Sequence, residues 1–302
     1  MKYNFKFSNF FIKLNYISLT FFILSVSFIL VKGLNYGIDF KGGTLLEIEV
    51  ESKNITTADL RSSLNNLELG DVNVKNFGKE NHYLIKIEKN LNNNKSLIME
   101  IKSELNKSLG EKINYRRIEN VGPKVSSELL KSGIISICLA LIAMLFYIWV
   151  RFEWQFSLGS IVALTHDVII TLGIFSILSI EINLSIVAAV LTIVGYSMND
   201  TVVIYDRIRE NLSKFNRINI NEISDISINE TLSRTLITSV TTLLALLSIF
   251  ILGGEILKGF SFAMILGVLI GTYSSIFVAA PMLKYLKVSH KTLEKKEEKI
   301  VP

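Results

Sequence analysis

The chain has 302 residues, of which 50% are hydrophobic and 20% are charged, and its mean hydropathy is +0.43. A positive mean hydropathy beside an ordinary charged fraction indicates that long uncharged stretches alternate with charge-rich ones. This pattern excludes a disordered chain, and the mild net charge of +5 gives no sign of a nucleic-acid-binding arm. The single cysteine, Cys138, can form no intrachain disulfide, so a disulfide-stabilised scaffold is excluded as well.

Six runs, uncharged except for one aspartate in each of two of them, are long enough to cross a membrane, because about 20 apolar helical residues span the hydrocarbon core. The runs are 14–31, 133–150, 154–180, 182–205, 235–254 and 259–283. We therefore predict a multi-pass α-helical membrane protein with six transmembrane helices. The alternative for the first run is a cleaved signal peptide, which its length and the absence of a small-residue cleavage site after it disfavour.

The distribution of Lys and Arg predicts the orientation of these helices. With the N-terminus inside, the inside segments carry fifteen Lys and Arg residues, and the short outside loops carry only Lys258. Both termini are then cytoplasmic, and residues 32–132 are exported, because long loops cross largely regardless of their charge. The predicted organisation is a cytoplasmic N-terminus (1–13), helix 1 (14–31), an exported domain (32–132), helices 2–6 (133–283) with a cytoplasmic loop (206–234), and a cytoplasmic tail (284–302).

Residues 32–132 are predicted to form a small α+β domain. Apolar and polar residues alternate over Thr44–Val50, which predicts a half-buried strand, and the leucine spacing in Thr57–Leu67 predicts a helix. Strand-like runs follow at 72–77 and 82–87, then a helical pattern at 94–109 and a final strand at 113–121. The order strand, helix, strand, strand, helix, strand is typical of a ferredoxin-like fold.

Asp200 and Asp167 are the only carboxylates within the six runs. A charged aspartate at the centre of a membrane helix costs about 2.5 to 3.5 kcal/mol, so such a residue is by default a candidate for an ion or substrate path. Asp200 follows Asn199, with Tyr196 and Ser197 about one turn before it. The alternative is that Asp200 caps or snorkels at the cytoplasmic end, which its short side chain disfavours.

Asp167 lies midway along the third run, beside His166, and small residues one and two turns before it favour an inward orientation. Two interpretations remain open: part of an ion path, or a neutral aspartate hydrogen-bonded to another helix. Arg234 is either an inside-flanking positive charge or a residue that enters the bundle and pairs with a carboxylate such as Asp200. Gly267 and Gly271 form a GxxxG pattern, which predicts close helix packing.

Several chemistries have no support in the sequence. There is no P-loop pattern, no nucleophile–base motif, and no metal-ligand spacing among the three histidines. We therefore expect neither an enzyme nor a bound cofactor or metal. A protonatable carboxylate in the membrane, without a nucleotide site, indicates that an ion gradient supplies the energy; one charge crossing 100 mV is worth about 2.3 kcal/mol.

Several segments together carry a family resemblance. Residues 191–211 (LTIVGYSMNDTVVIYDRIREN) resemble a fourth-span signature, and residues 37–44 (GIDFKGGT) resemble an opening motif with Gly37, Asp39, Phe40, Gly42 and Gly43. Residues 121–129, 165–168 and 234–239 match as well. Over its whole length the chain resembles the SecD/SecF family of protein-export membrane subunits, the SecF type more than the SecD type. That family is similar to half of a resistance-nodulation-division transporter.

The resemblance implies a subunit in the bacterial inner membrane that pairs with SecD beside the SecYEG channel. It implies use of the proton-motive force, or of sodium in some relatives, to promote preprotein translocation and release. The implied partners are SecD, SecYEG, preproteins and membrane lipid, with YajC as a further candidate. The family's fourth-span aspartate and fifth-span arginine, both tied to ion transfer, match Asp200 and Arg234, whereas Asp167 is a weaker match.

Two alternative functions compete with this one. A non-transporting assembly or scaffold protein of the membrane would have no need of a carboxylate such as Asp200 within a span. A small-molecule exporter subunit of the same superfamily would want a second six-span half and a second exported domain in the same chain, which 302 residues cannot hold.

Overall fold

A computed structural model describes residues 5–51, 55–64, 67, 69–78, 81–88, 95–109, 113–215, 218–290 and 292. The helices are α1 (Phe11–Lys32), α2 (Ile38–Lys41), α3 (Thr57–Leu64), α4 (Lys95–Leu109), α5 (Pro123–Arg151), α6 (Trp154–Leu178), α7 (Leu184–Lys214), α8 (Ile220–Leu252), α9 (Glu255–Ser274) and α10 (Ala280–Tyr285). The strands are β1 (Asn35–Tyr36), β2 (Gly43–Val50), β3 (Val72–Asn76), β4 (His82–Ile87), β5 (Ile113–Val121) and β6 (Glu181–Ile182).

The chain divides into two compact units. The helix bundle comprises Met1–Asn35, Ile135–Ile180 and Ser185–Pro302, and the sheet domain comprises Tyr36–Ile134 with Glu181–Leu184. The sheet domain therefore includes four residues that follow α6 in the chain. Among the predicted segments, the end of the C-terminal tail (293–302) lies outside the described residues.

Within the described part of the chain, six helical segments are long and apolar enough to cross a membrane, which confirms the predicted fold class. They are Phe7–Lys32, α5, α6, α7, α8 and Glu255–Tyr285, the last formed by α9, a π-helical turn (Ser275–Ala279) and α10. Half or more of the most apolar window of α6, α7 and the last segment is buried, whereas the windows of α1, α5 and α8 are mostly exposed. The bundle thus has a central group of three helices and three peripheral ones.

The segment predicted as a loop at 206–234 is mostly helical. The helix α7 continues to Lys214, and α8 begins at Ile220, where the Asn219 side chain accepts a hydrogen bond from the backbone N–H of Asn221 (3.2 Å). The Asn211 side chain donates hydrogen bonds to Ser227 (2.9 Å) and Glu230 (2.8 Å), so the two helical arms bind each other. These polar contacts between α7 and α8 stabilise the helical residues that lie beyond the uncharged runs.

The sheet domain has the predicted ferredoxin-like topology. Its four strands lie in the order β3–β4–β2–β5, and every neighbouring pair is antiparallel. The inward side chains of alternating strand positions, such as Ile48 and Ile85, pack with Leu60 of α3 and Leu105 of α4 in one fully buried cluster. The helix α3 is described as Thr57–Leu64, and residues 65 and 66 of the predicted helix lie outside the described residues.

Candidate functional site: a buried carboxylate cluster

Asp167 joins three helices of the bundle through its carboxylate. The residue is fully buried on α6, and its Oδ1 lies 2.9 Å from Nδ1 of His166. Its Oδ2 accepts hydrogen bonds from the hydroxyls of Ser197 on α7 (2.6 Å) and Ser274 on α9 (2.8 Å). Both oxygens of the Asp167 carboxyl group therefore have hydrogen-bond partners, three in all among the described residues.

Asp200 is buried on α7, about one turn beyond Ser197, but its carboxylate is held much more loosely. The hydroxyl of Thr272 on α9 lies 3.5 Å from Oδ2, which is at the outer limit of a hydrogen bond. That hydroxyl is also 2.7 Å from the hydroxyl of Ser239 on α8. Asp200 therefore faces a polar contact between α8 and α9 without the close donors that surround Asp167.

Arg234 is exposed on α8, one turn before Thr238 and Ser239. It attracts Asp200 electrostatically, but among the described residues no ion pair within 4 Å joins the two, so the expected Asp200–Arg234 pair is not formed in this conformation. The other polar residues of the fourth-span motif lie in different environments. Ser197 contacts Asp167, and the hydroxyl of Tyr196 donates to the carbonyl of Thr238 (3.1 Å). Asn199 is exposed.

The two glycines of the GxxxG pattern lie where α9 meets α7. A Cβ atom at Gly267 would collide with the side chain of Ile193, and a Cβ atom at Gly271 would lie 2.9 Å from Cβ of Ser197. Missing side chains therefore let the two helices approach closely, which brings Ser274 and Thr272 within reach of the two carboxylates. The same approach lets the Thr201 and Ser275 hydroxyls meet at 2.8 Å.

Sequence reasoning overlooked Ser239, Thr272 and Ser274, although each contributes a hydroxyl to this cluster. A signal was present, because residues 271–275 (GTYSS) form a polar stretch within the sixth apolar run, comparable with the stretch at 195–201. Over the part of the chain that the structure describes, no group of three His, Cys, Asp or Glu side chains could hold a metal ion.

The opening motif lies in the sheet domain, apart from the carboxylate cluster. Gly42 and Gly43 have positive φ angles (81° and 120°), which favour glycine, and they carry the chain from α2 into β2. The carboxylate of Asp39 accepts a hydrogen bond from the backbone N–H of Leu184 (2.9 Å), and the N–H of Gly37 donates to the carbonyl of Ile182 (2.8 Å).

The remaining motif residue, Phe40, is buried and packs edge-on against Tyr36. The motif therefore fixes the four residues that precede Ser185 to the sheet domain. We call this contact between residues 37–43 and residues 181–184 the latch.

Comparisons with known proteins agree over nearly the whole chain. A family model described as "Protein export membrane protein SecD/SecF, C-terminal" matches residues 101–289, and one described as "SecD/SecF GG Motif" matches residues 27–53. "Protein translocase subunit SecF" of Rickettsia akari is 44% identical over 301 residues, covering 97% of this chain and 96% of that protein. The subunit of the same name from Cereibacter sphaeroides is 41% identical over 278 residues, covering 88% and 85%.

Two solved structures are similar as well. The crystal structure of SecDF, a translocon-associated membrane protein from Thermus thermophilus, superposes with a TM-score of 0.85 at 33% identity and covers 94% of this chain. SecDF in a super-membrane-facing form superposes with a TM-score of 0.71 at 32% identity and covers 98% of this chain. This chain spans only 39% and 40% of those two chains.

Proposed function

Because the chain belongs to the SecD/SecF family of protein-export membrane proteins, as a relative of the SecF subunits, we propose that it couples an ion gradient to preprotein movement. In this proposal it works with a SecD-type partner beside the SecYEG channel, and the proton-motive force promotes translocation and release of the preprotein. Asp200 is the ion-accepting residue, Arg234 is its electrostatic partner, and Asp167 with His166 belongs to the same pathway.

One observation carries the proposal: Asp200 is a buried carboxylate in an apolar helix whose nearest described donor is a hydroxyl 3.5 Å away. A carboxylate with so little hydrogen bonding gains or loses a proton without breaking a strong contact. Protonation removes its charge and weakens its attraction to Arg234 on α8, so the preferred separation of α7 and α8 changes. A gradient that loads the proton from one side gives that change a direction.

The partner and the orientation have separate support. The SecDF chains contain a region similar to this chain together with a longer remainder, which is consistent with a SecD-type partner for a SecF-type subunit.

The backbone N–H of Ser8 donates to Asp225 (2.8 Å), and that of Phe5 donates to Asn229 (3.0 Å), so the N-terminal segment and the 206–234 region lie at one end of the bundle. The N-terminal segment (1–13) carries three Lys residues and the 206–234 region carries five Lys and Arg residues, and this count of positive residues supports a cytoplasmic location in a bacterial inner membrane.

The test is preprotein translocation into inverted membrane vesicles that contain the chain, a SecD-type partner and SecYEG. With ATP present in all reactions, we expect a proton gradient to accelerate translocation for the wild type and to have no effect for Asp200→Asn, which keeps the side-chain volume. Glu222→Gln, which neutralises an exposed carboxylate of α8 outside the uncharged runs, is the matched control and should behave as the wild type.

Removing the SecD-type partner should abolish the gradient effect for the wild type as well. If Asp200→Asn responds to the gradient as the wild type does, at equal protein level in the vesicles, then Asp200 does not carry the coupling ion. A scaffold function would then explain the chain better.

A further inference from the structure

His166 has one buried ring nitrogen whose role the carboxylate cluster leaves unexplained. Its Nδ1 contacts Asp167, but its Nε2 is buried and has no hydrogen-bond partner among the described residues. A buried polar atom without a partner destabilises the fold, so its persistence calls for a ligand or a chemical function.

His166 lines a groove of about 450 Å³ between α1, α6 and the end of the last membrane segment. Phe22, Val162, Val278 and Met282 form much of its apolar wall, and Asn15, Ser18 and Thr165 provide polar atoms. The groove is far larger than the ~30 Å³ that one water molecule occupies in the liquid, and a water there would find several polar partners. Water in the groove therefore lies beside the ring of His166, and it reaches the buried Nε2 only when the packing around the ring opens.

The contacts of Asp167 decide which nitrogen of His166 carries a hydrogen in the neutral ring. Oδ2 accepts from Ser197 and Ser274, and Oδ1 faces Nδ1 at 2.9 Å, so with an ionised Asp167, which the proposal assumes, Nδ1 is the donor in that contact. The lone pair then lies on Nε2, at the side of the ring without a partner. In this tautomer Nε2 is the nitrogen of the ring that can accept a proton.

We propose that Nε2 of His166 accepts protons from water in this groove and that it is a proton-accepting site separate from Asp200. The inference rests on the proposed ion coupling and deepens it. In the step, the Nε2 lone pair bonds a proton from a hydronium ion, which leaves as water, and no other bond changes. The neutral His166 with ionised Asp167 carries one negative charge inside the bundle. After the step the two form a neutral ion pair, which removes an uncompensated charge from an apolar surrounding.

Other titratable groups lie on the helices around the groove, among them Lys13 and Tyr16 of α1 and Lys284 of α10, which are not part of its lining. Tyr285 of α10 lines the groove, Tyr273 of α9 is bonded to Ser18 (2.8 Å), and Asp200 of α7 lies about one turn beyond Ser197. Among the described residues, Asp167 is the titratable group bonded to His166. Because Ser197 and Ser274 hold the other oxygen of Asp167, a change of charge at His166 acts on α6, α7 and α9 together.

Nitrogen NMR of the full chain in lipid bilayers tests the proposal, because the chain has only three histidines. In a sample with ¹⁵N-labelled histidine, His166→Gln assigns the signals of this ring. We expect the Nδ1–H tautomer at alkaline pH and a second N–H, on Nε2, as the pH is lowered between about 8 and 5, the range in which histidine ordinarily changes charge. Asp167→Asn should abolish the tautomer preference, whereas Asp200→Asn should leave the protonation of His166 intact.

Access through the groove is tested separately by transfer of magnetisation from water to the His166 ring. Val162→Trp should fill the groove and reduce that transfer severalfold, and Val240→Trp, at an exposed position on α8 away from the groove, should not. The proposal is overturned if the Nε2–H tautomer is found at alkaline pH, if Nε2 stays unprotonated down to pH 5 in the folded protein, or if water never reaches the ring. These signals do not depend on translocation, so this inference and the proposed function can fail independently.

Discussion

The two buried carboxylates of the bundle differ in how many donors reach them. Asp167 has close contacts with His166, Ser197 and Ser274, whereas Asp200 has a long contact with Thr272 and a weaker one with Ser239. The cost of burying a charge made both residues candidates from the sequence, but their donors lie on other helices and could not be counted from it. The count supports separate roles: a fixed carboxylate that orients its neighbours and a loosely held one that can change charge.

Two tyrosines of the sheet domain give a prediction for single hydroxyls. The hydroxyl of Tyr83 donates to the carbonyl of Ile55 (2.5 Å), while the buried hydroxyl of Tyr115 has no partner among the described residues. Burial raises the pKa of Tyr115 to about 12, so its hydroxyl stays protonated at neutral pH. Tyr83→Phe should destabilise the domain by about 1 kcal/mol, and Tyr115→Phe should leave its stability unchanged or increase it.

Hydrogen exchange of the β2 amides in the full chain, measured by mass spectrometry at one fixed pH, reports both changes. Each variant serves as the control of the other, since each removes one hydroxyl and nothing else. Equal losses of protection would mean that Tyr115 has a partner that the described residues do not include.

At the level of secondary-structure elements, the close packing of α9 against α7 depends on glycines, which have no side chain. Gly267→Ala places a methyl group against Ile193 and should destabilise the bundle by about 1 to 3 kcal/mol. Gly195→Ala is the matched control, because no atom lies within 4 Å of its added Cβ, and alanine in a helix is favoured over glycine by up to about 1 kcal/mol. Thermal unfolding of the purified chain in detergent measures both, and a larger loss for Gly195→Ala would contradict the packing.

The latch between residues 37–43 and 181–184 gives a second prediction for elements. Lys86 of β4 forms an ion pair with Glu181, which is itself a residue of the latch, and both side chains are partly buried. Lys86→Glu should bring two carboxylates together and expose the amides of residues 181–184 to faster hydrogen exchange. Adding Glu181→Lys should restore protection in part, by roughly 1 kcal/mol of coupling.

Arg117→Glu serves as the control for the latch, because Arg117 and Glu119 form a more exposed pair within β5. This single change should leave exchange at residues 181–184 unaltered. Failure of the double swap to recover any protection would mean that Lys86 and Glu181 do not stabilise the latch.

For the whole molecule, the proposed orientation can be measured with one cysteine at a time. Cys138, the only native cysteine, is replaced first with alanine. Lys75→Cys in the sheet domain should then react with a membrane-impermeant maleimide added outside intact spheroplasts, and Lys214→Cys at the end of α7 should react only after lysis; both positions are exposed. The reverse pattern would contradict an exported sheet domain and cytoplasmic helical arms.

Local patterns determined much of this molecule in advance. Uncharged runs fix six membrane helices, alternation and helical spacing fix the order of the sheet domain, and the cost of a buried charge singles out Asp167 and Asp200. These features depend on residues close together in the chain, so the sequence alone contains them. The end of α7 at Lys214 and the start of α8 at Ile220 could not be predicted from local patterns, because contacts between the two helices stabilise these ends.

Only the tertiary structure decided which polar groups meet. Ser274 reaches Asp167 across 107 positions, and Asp39 receives the N–H of Leu184 across 145. The shapes of packed helices and the twist of the sheet bring such partners together, and no local pattern encodes them. For the same reason the sequence could mark Asp200 and Arg234 as a pair of interest, while the packing of α7 and α8 leaves them apart in this conformation.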